Sequence, residues 1–202
     1  MRLNMVEAQS APGVRRATRS DKDRFESVMT VAFTSDPLVR WAWTDPLQYT
    51  QTFVPFTTMF GGKAFDHDSA YVIGDFFGVL YWLPPGIQPD DEPMLELFQR
   101  NMSEPKLGQL LSMFEQMGGF HPSEPHWYIP LIATDPLYQG RGYGTELMRQ
   151  GLLACDRDRQ LAYLEATSPA SRRFYERLGF RALGEIRSAD SPPMFPMLRE
   201  PR

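Results

Sequence analysis

The run Gln139-Gly140-Arg141-Gly142-Tyr143-Gly144-Thr145 has the composition of an anion-binding turn. It follows a strand-like segment, residues 128–134, and opens a helix-like one, residues 145–155. Glycine has no Cβ, so the backbone of such a turn can approach a ligand closely. The first amides of the following helix lack internal partners and carry the positive end of its dipole. Together these features suit the phosphates of a nucleotide or cofactor. A P-loop is excluded, because no lysine stands in Gly142-Tyr143-Gly144-Thr145. A dinucleotide fingerprint also fails, because Thr145 occupies the place of its third glycine. The alternative is a turn that only redirects the chain.

Three further side chains have reactive chemistry. Glu165 ends the short apolar run Leu161-Ala162-Tyr163-Leu164, where a carboxylate serves as a general base or as a cap or ion-pair partner. His126, at the entry to the 128–134 strand, is the alternative base, with an ordinary pKa near ~6.5. Cys155 lies among Leu152, Leu153 and Ala154 and reads as a buried structural thiol. A single cysteine excludes an internal disulfide, and the three histidines lack metal-binding spacing, so no metal is expected.

The elements that must position these groups follow from periodicity. Residues 14–18 form a strand, and Ser20 or Asp21 caps a helix running to Phe33. Asp36-Pro37 starts a short helix to Trp43, Asp45-Pro46 starts another toward Phe60, and Gly61-Gly62 ends it. Residues 70–73 and 77–83 form a hairpin across Gly74-Asp75. Two methionine-containing helices, 94–102 and 107–117, are too apolar for a linker and pack as a lid or wall. Pro130 conflicts with a regular paired strand over 128–134 and predicts a bulge or a splayed edge. A helix over 169–178 is ended by Gly179, and 180–186 resumes an extended pattern.

The Gln-x-x-Gly-x-Gly loop after Thr134-Asp135-Pro136 resembles motif A of the GNAT acetyltransferase superfamily. Arg173-Phe174-Tyr175-Glu176-Arg177-Leu178-Gly179-Phe180 resembles that superfamily's second signature, in the expected order and at a comparable spacing. Residues 14–21, 124–128 and 164–169 are similar to the puromycin-type N-acetyltransferases, whereas 50–122 match only loosely. The resemblance implies an α/β (α+β) GNAT fold: a central mixed, mostly antiparallel twisted sheet, splayed between strands 4 and 5 and flanked by helices. It implies acetyl-CoA as co-substrate. Its pyrophosphate would lie on Gln139, Gly140, Arg141, Gly142, Tyr143, Gly144 and Thr145, and its pantetheine arm along Ile132, Ala133 and Thr134. Pro130 would mark where the strands part. Tyr175 would protonate the leaving thiolate, and Glu165, beside the wedge, would act as base, through water. Ser171 stands where relatives carry asparagine and offers a shorter polar contact. Arg172 and Arg173 are candidates for a CoA phosphate, a solvated helix face being the alternative.

With 202 residues, 42% of them apolar and 13% aromatic, the chain can build one substantial core. The expected organisation is a flexible tail over 1–12 and one domain over 13–200, with 86–122 as the helical insert. A net charge of −4 gives no general attraction to nucleic acid or an anionic membrane, and no apolar stretch is long enough to span one. The start lacks the pattern of a signal peptide, which makes a cytoplasmic protein the expectation, as monomer or homodimer. The expected reaction is acetyl transfer to a primary amine of a small, partly apolar molecule, antibiotic-like ones included. Phe33, Trp41, Trp43, Trp82 and Trp127 are candidate walls for it, and Asp36, Asp90 and Asp91 a candidate acidic rim. The alternatives are a protein N-terminus or lysine as acceptor, or a catalytically idle acyl-CoA sensor.

Overall fold

The computed structural model describes residues 12–202. The expected tail, residues 1–12, lies outside them except for Pro12. In chain order the elements are β1 (Val14–Arg16), α1 (Lys22–Phe33), α2 (Pro37–Ala42), α3 (Pro46–Gly61), β2 (Ala70–Ile73) and β3 (Gly78–Tyr81). There follow α4 (Asp91–Asn101), α5 (Glu104–Phe120), β4 (His126–Tyr128), β5 (Ile132–Thr134) and α6 (Tyr143–Asp158). The chain closes with β6 (Leu161–Ala166), α7 (Pro169–Glu176), β7 (Arg181–Ala182) and β8 (Phe195–Arg199).

Local chemistry accounts for most helix starts. Asp36 accepts from the amides of Leu38 and Val39, Asp45 from that of Gln48, and Ser168 from that of Ser171. In each case a proline opens the first turn, where its missing N–H costs nothing. The Gly61-Gly62 pair does not stop the chain's winding; a 3-10 turn continues through Phe65. The observed α4 and α5 extend beyond the predicted 94–102 and 107–117 at both ends except the C-terminus of α4, which stops at Asn101.

The sheet has two halves, β1-β2-β3-β5 and β4-β6-β8-β7, and among the described residues only the β4–β6 pairing is parallel. The predicted strand over 128–134 is two short strands that pass from one half to the other around Ile129-Pro130-Leu131. On the β3 side the ladder continues, with Tyr81 N–H bonded to Leu131 O and Asp135 N–H to Phe77 O. On the β6 side it stops, the last bond running from Ile129 N–H to Tyr163 O at 3.0 Å. Proline has no N–H to give, and the two strands part there. This is the splayed, mostly antiparallel sheet of the GNAT fold.

Apolar cores cover both faces. Phe25, Phe53, Phe56, Phe60 and Phe98 lie with Tyr128 and Tyr163 on one, under α1 and α3–α5. Trp82, Leu147, Met148, Leu152 and Leu164 fill the other, under α6. Gly151 lets α6 sit directly on Trp82, where a Cβ would stand only 2.5 Å from the ring. One strand, β8, was not anticipated: it pairs with both β6 and β7, and Pro196 within it hides its strand character from the sequence. The extended stretch expected over 180–186 is paired only at Arg181–Ala182 and at an Ile186–Met194 bridge.

Candidate active site

The split opens into a cavity of about 750 Å³. One wall is the end of β5 and the glycine loop, the other the end of β6 and the start of α7. Leu131 and Asp135 bond to β3, so strand alternation turns the backbone groups of Ile132 and Thr134 toward the gap. The Gln139 side chain donates to Thr134 O at 3.2 Å, which takes that carbonyl and braces the loop against the strand. Phe77 adds a second brace, its ring 4.4 Å from that of Tyr138 and 5.3 Å from that of Tyr143.

Gly140 and Gly142 have φ of +75° and +84°, backbone that L side chains resist, and a Cβ on either would project into open space. The first bond of α6 runs from Glu146 N–H to Gly142 O, so the amides of Tyr143, Gly144 and Thr145 have no acceptor within the helix. Ile132, Ala133, Thr134, Gln139, Gly140, Gly142, Tyr143, Gly144, Thr145 and Ser171 all line the cavity. The Arg141 side chain instead lies against the Tyr138 ring, 5.3 Å away, outside the lining. Ser171 closes the capping box of α7, exchanging bonds with Ser168, so its hydroxyl is committed locally. Arg172 pairs with Glu176 at 2.8 Å, and it is Arg177, unanticipated, that reaches the cavity wall.

Tyr175 and Glu165 face the same space. The Tyr175 ring packs between Phe174 and Phe180, and its hydroxyl makes no hydrogen bond among the described residues. Burial, and then the nearby charge of Asp36, raises its pKa, so the phenol stays protonated, as a proton donor must. Asp36 belongs to this cavity rather than to an outer rim; it accepts from Thr167 at 2.6 Å, and burial raises its carboxyl above the usual range.

Glu165 and Tyr163 are two apart on β6 and therefore share the face that looks toward α3–α5. Tyr128, across the parallel pairing with β4, joins them and donates to Glu165 Oε2 at 2.9 Å. Burial, and then the Glu165 charge, pushes the Tyr128 phenol well above its ordinary range and keeps it a donor. Glu165 Oε1 is buried without a hydrogen-bond donor, although His121 Nε2 lies 3.3 Å away. An orphaned buried acceptor of this kind costs about 1–3 kcal/mol. His121 was not anticipated: it follows the last turn of α5, beyond the predicted helix end. His126 stands 5.5 Å from it, ring to ring, with Nδ1 2.8 Å from Glu124 O, and burial lowers its pKa.

Glu165, Thr167, Phe33, Pro130 and Leu131 are shared with a narrow apolar cavity of about 90 Å³, walled by Trp43, Phe56 and Met113. Phe60, Phe98, Phe114 and Met117 are in turn shared with a wider cavity of about 480 Å³ between α4, α5 and β4. Phe33 and Trp43 thus stand where an acceptor wall was expected. The other three tryptophans do not. Trp41 bonds to Asp190 and carries Lys106 over its ring, and Trp82 and Trp127 pack together on the opposite face. Asp91 lines the wider cavity, while Asp90 is paired with Lys63. Cys155 is buried and its thiol is pushed up to about 12, as expected of an inert core thiol. Among the described residues no three His, Cys, Asp or Glu side chains converge as a metal-binding group, and no helix is long and apolar enough to cross a membrane.

A sheet parted at a proline, with a glycine loop and helix N-terminus at the mouth of the gap, is the arrangement of the GNAT fold. Residues 112–182 match the family model described as "Acetyltransferase (GNAT) domain", a family that uses acetyl-CoA. A Corynebacterium glutamicum crystal structure, described as histone acetyltransferase HPA2 and related acetyltransferase, is similar at 27% identity and TM-score 0.69, covering 96% of this chain and 98% of that one. The arylalkylamine N-acetyltransferase 2 of Aedes aegypti shares the fold at 14% identity and TM-score 0.64, over 96% and 100% of the two chains. So does the Drosophila melanogaster polyamine N-acetyltransferase, described as catalysing the formation of N-acetylagmatine, at 16% identity and TM-score 0.61, over 94% and 99%.

Proposed function

We propose that the protein transfers the acetyl group of acetyl-CoA directly to a primary amine of a small molecule. The observation that carries this reading is one continuous cavity lined by the glycine loop, the free edge of β5, Tyr175 and Glu165. The loop amides from Gly140 to Thr145 hold the pyrophosphate, with Arg177 available to a phosphate. The backbone of Ile132, Ala133 and Thr134 runs beside the pantetheine, and Ser171 contacts it at the price of its bond to Ser168. Acetyl-CoA supplies an activated thioester. Holding it beside the amine gains from orientation, Glu165 takes the proton that the ammonium must lose, and neutral Tyr175 protonates the departing thiolate.

The acceptor enters between α4 and α5, the 86–122 insert of the single 13–200 domain. The aromatic and methionine walls there favour an amine carried on an apolar arm. Acetylation of amines by the proteins of similar fold supports that class. A puromycin-type acceptor is the finer form of the same reading, and the setting is a cytoplasmic monomer or homodimer. The test is mass-spectrometric detection of N-acetyl product after incubation with acetyl-CoA and a panel of phenethylamine, tryptamine, agmatine, spermidine, puromycin and a lysine peptide. An acetylated small amine supports the proposal; acetylation of the peptide alone, or of nothing, rejects it.

A further inference from the structure

Glu165 is nearly enclosed, its side chain 5% exposed, and a base so placed needs a route by which its proton leaves. His121 stands on that route. Its side chain is 22% exposed, it lines the 480 Å³ cavity, and its Nε2 is 3.3 Å from Glu165 Oε1, the oxygen without a donor. Glu165 itself does not line that cavity; His121 and Tyr128, which both touch Glu165, do. A proton on either Nε2 or Oε1 would lie between these two atoms.

We propose that His121 is a positioning residue that relays the acceptor's proton from Glu165 to solvent. The inference rests on the reading of Glu165 as base. In the step, an N–H bond of the ammonium breaks and an O–H bond forms on Glu165. That O–H then breaks as an N–H forms on His121 Nε2, restoring the carboxylate and giving an imidazolium, which loses a proton to the cavity. Charge and protons balance without another reactant.

The titratable groups around His121 are Glu165 and Tyr163 on β6, Tyr128 and His126 on β4, Asp91 of α4 across the cavity, and Glu124 beyond His126. None is a better carrier. Burial raises the pKa of both phenols and lowers that of His126, whose Nδ1 is also held at Glu124 O. Tyr128 shares the carboxylate contact and the cavity face, but it already donates to Oε2 and its phenol has no site basic enough to take a proton, which leaves His121, whose ring nitrogen can accept one.

The test is thiol release from acetyl-CoA by the full chain, using the panel amine that the wild type turns over fastest, with His121→Ala, His121→Gln and Glu165→Gln. Both His121 variants are expected to lose at least about tenfold in kcat, to keep the acetyl-CoA KM, and to lose the wild-type acidic limb of kcat. Added imidazole is expected to restore activity to His121→Ala, whose vacated site adjoins the cavity. Glutamine can bond to Oε1 but cannot carry a proton, so full activity in His121→Gln overturns the relay and leaves a structural bond. A loss in both variants with an unchanged pH profile and no imidazole rescue overturns it too. If Glu165→Gln retains activity, the base assignment falls and the relay with it; if Glu165→Gln is inactive while both His121 variants work, only the relay falls.

Discussion

Replacing Tyr175 by phenylalanine separates chemistry from architecture at this site. The ring stays where it is, held by Phe174 at 5.0 Å and Phe180 at 5.9 Å between centroids. The deleted hydroxyl has no hydrogen-bond partner among the described residues, so no donor or acceptor of the protein is orphaned. Folding stability is therefore expected to change by less than about 1 kcal/mol. Catalysis is a different matter. A positioned general acid contributes roughly 10²–10⁴-fold, or about 3–5 kcal/mol of barrier. Because burial and Asp36 raise the phenol's pKa, no alkaline loss of activity near neutrality should arise from Tyr175. The assay is steady-state kcat by thiol release, alongside acetyl-CoA affinity and the denaturant midpoint. A fall of at least about a hundredfold in kcat, with affinity and midpoint retained, is the expected outcome. Unchanged kcat would remove Tyr175 as the acid, and a matching loss of affinity or stability would make it a packing residue.

Gly142→Ala should weaken acetyl-CoA binding and lower stability by about 1–2 kcal/mol, since φ of +84° is strained for alanine; calorimetric titration and a denaturant curve check both. Asp36 has a raised pKa in the fold, so the native state binds its proton more tightly and stability falls as pH climbs from about 4 through the folded value. Asp36→Asn keeps an N-cap acceptor, and its stability relative to wild type should improve over that climb; a pH-independent difference contradicts the assignment. His126 shows the opposite case, its lowered pKa giving stability that is lost as pH drops below about 6.5, and His126→Gln should flatten that acid loss in melting curves. Native Cys155 should resist thiol reagents at neutral pH and react only on unfolding.

The glycine-loop side of the cavity was legible because it is built from consecutive residues. Gln139 to Thr145 carry their own turn chemistry, and Pro130 announces a break in pairing that the structure puts at the gap. The capped helix starts at Asp36, Asp45 and Ser168 were legible for the same local reason. The side around Glu165 was not, because it is assembled from distant segments. His121 meets Glu165 only because α5 runs past its apolar pattern to Phe120 and the turn then faces β6. Tyr163 and Glu165 did hold a readable signal, the two-residue period of a strand, but what that face meets depends on tertiary packing. Trp82 and Trp127 went to the opposite core for the same reason, since type alone does not say which face of a sheet a tryptophan covers. β8 was hidden by Pro196, which is tolerated because the strand pairs through its other residues and through the Pro196 carbonyl, bonded to Leu183 N–H.

The central claim is that acetyl-CoA lies in the gap between β5 and β6 with its pyrophosphate on the loop. Hydrogen exchange of the full chain with and without acetyl-CoA tests it most directly. Slower exchange at the amides of Ile132, Thr134 and 140–145, with α4 and α5 unaffected, is the predicted result. Protection under α4 and α5 with none in the loop, or no protection at saturating acetyl-CoA, would contradict it.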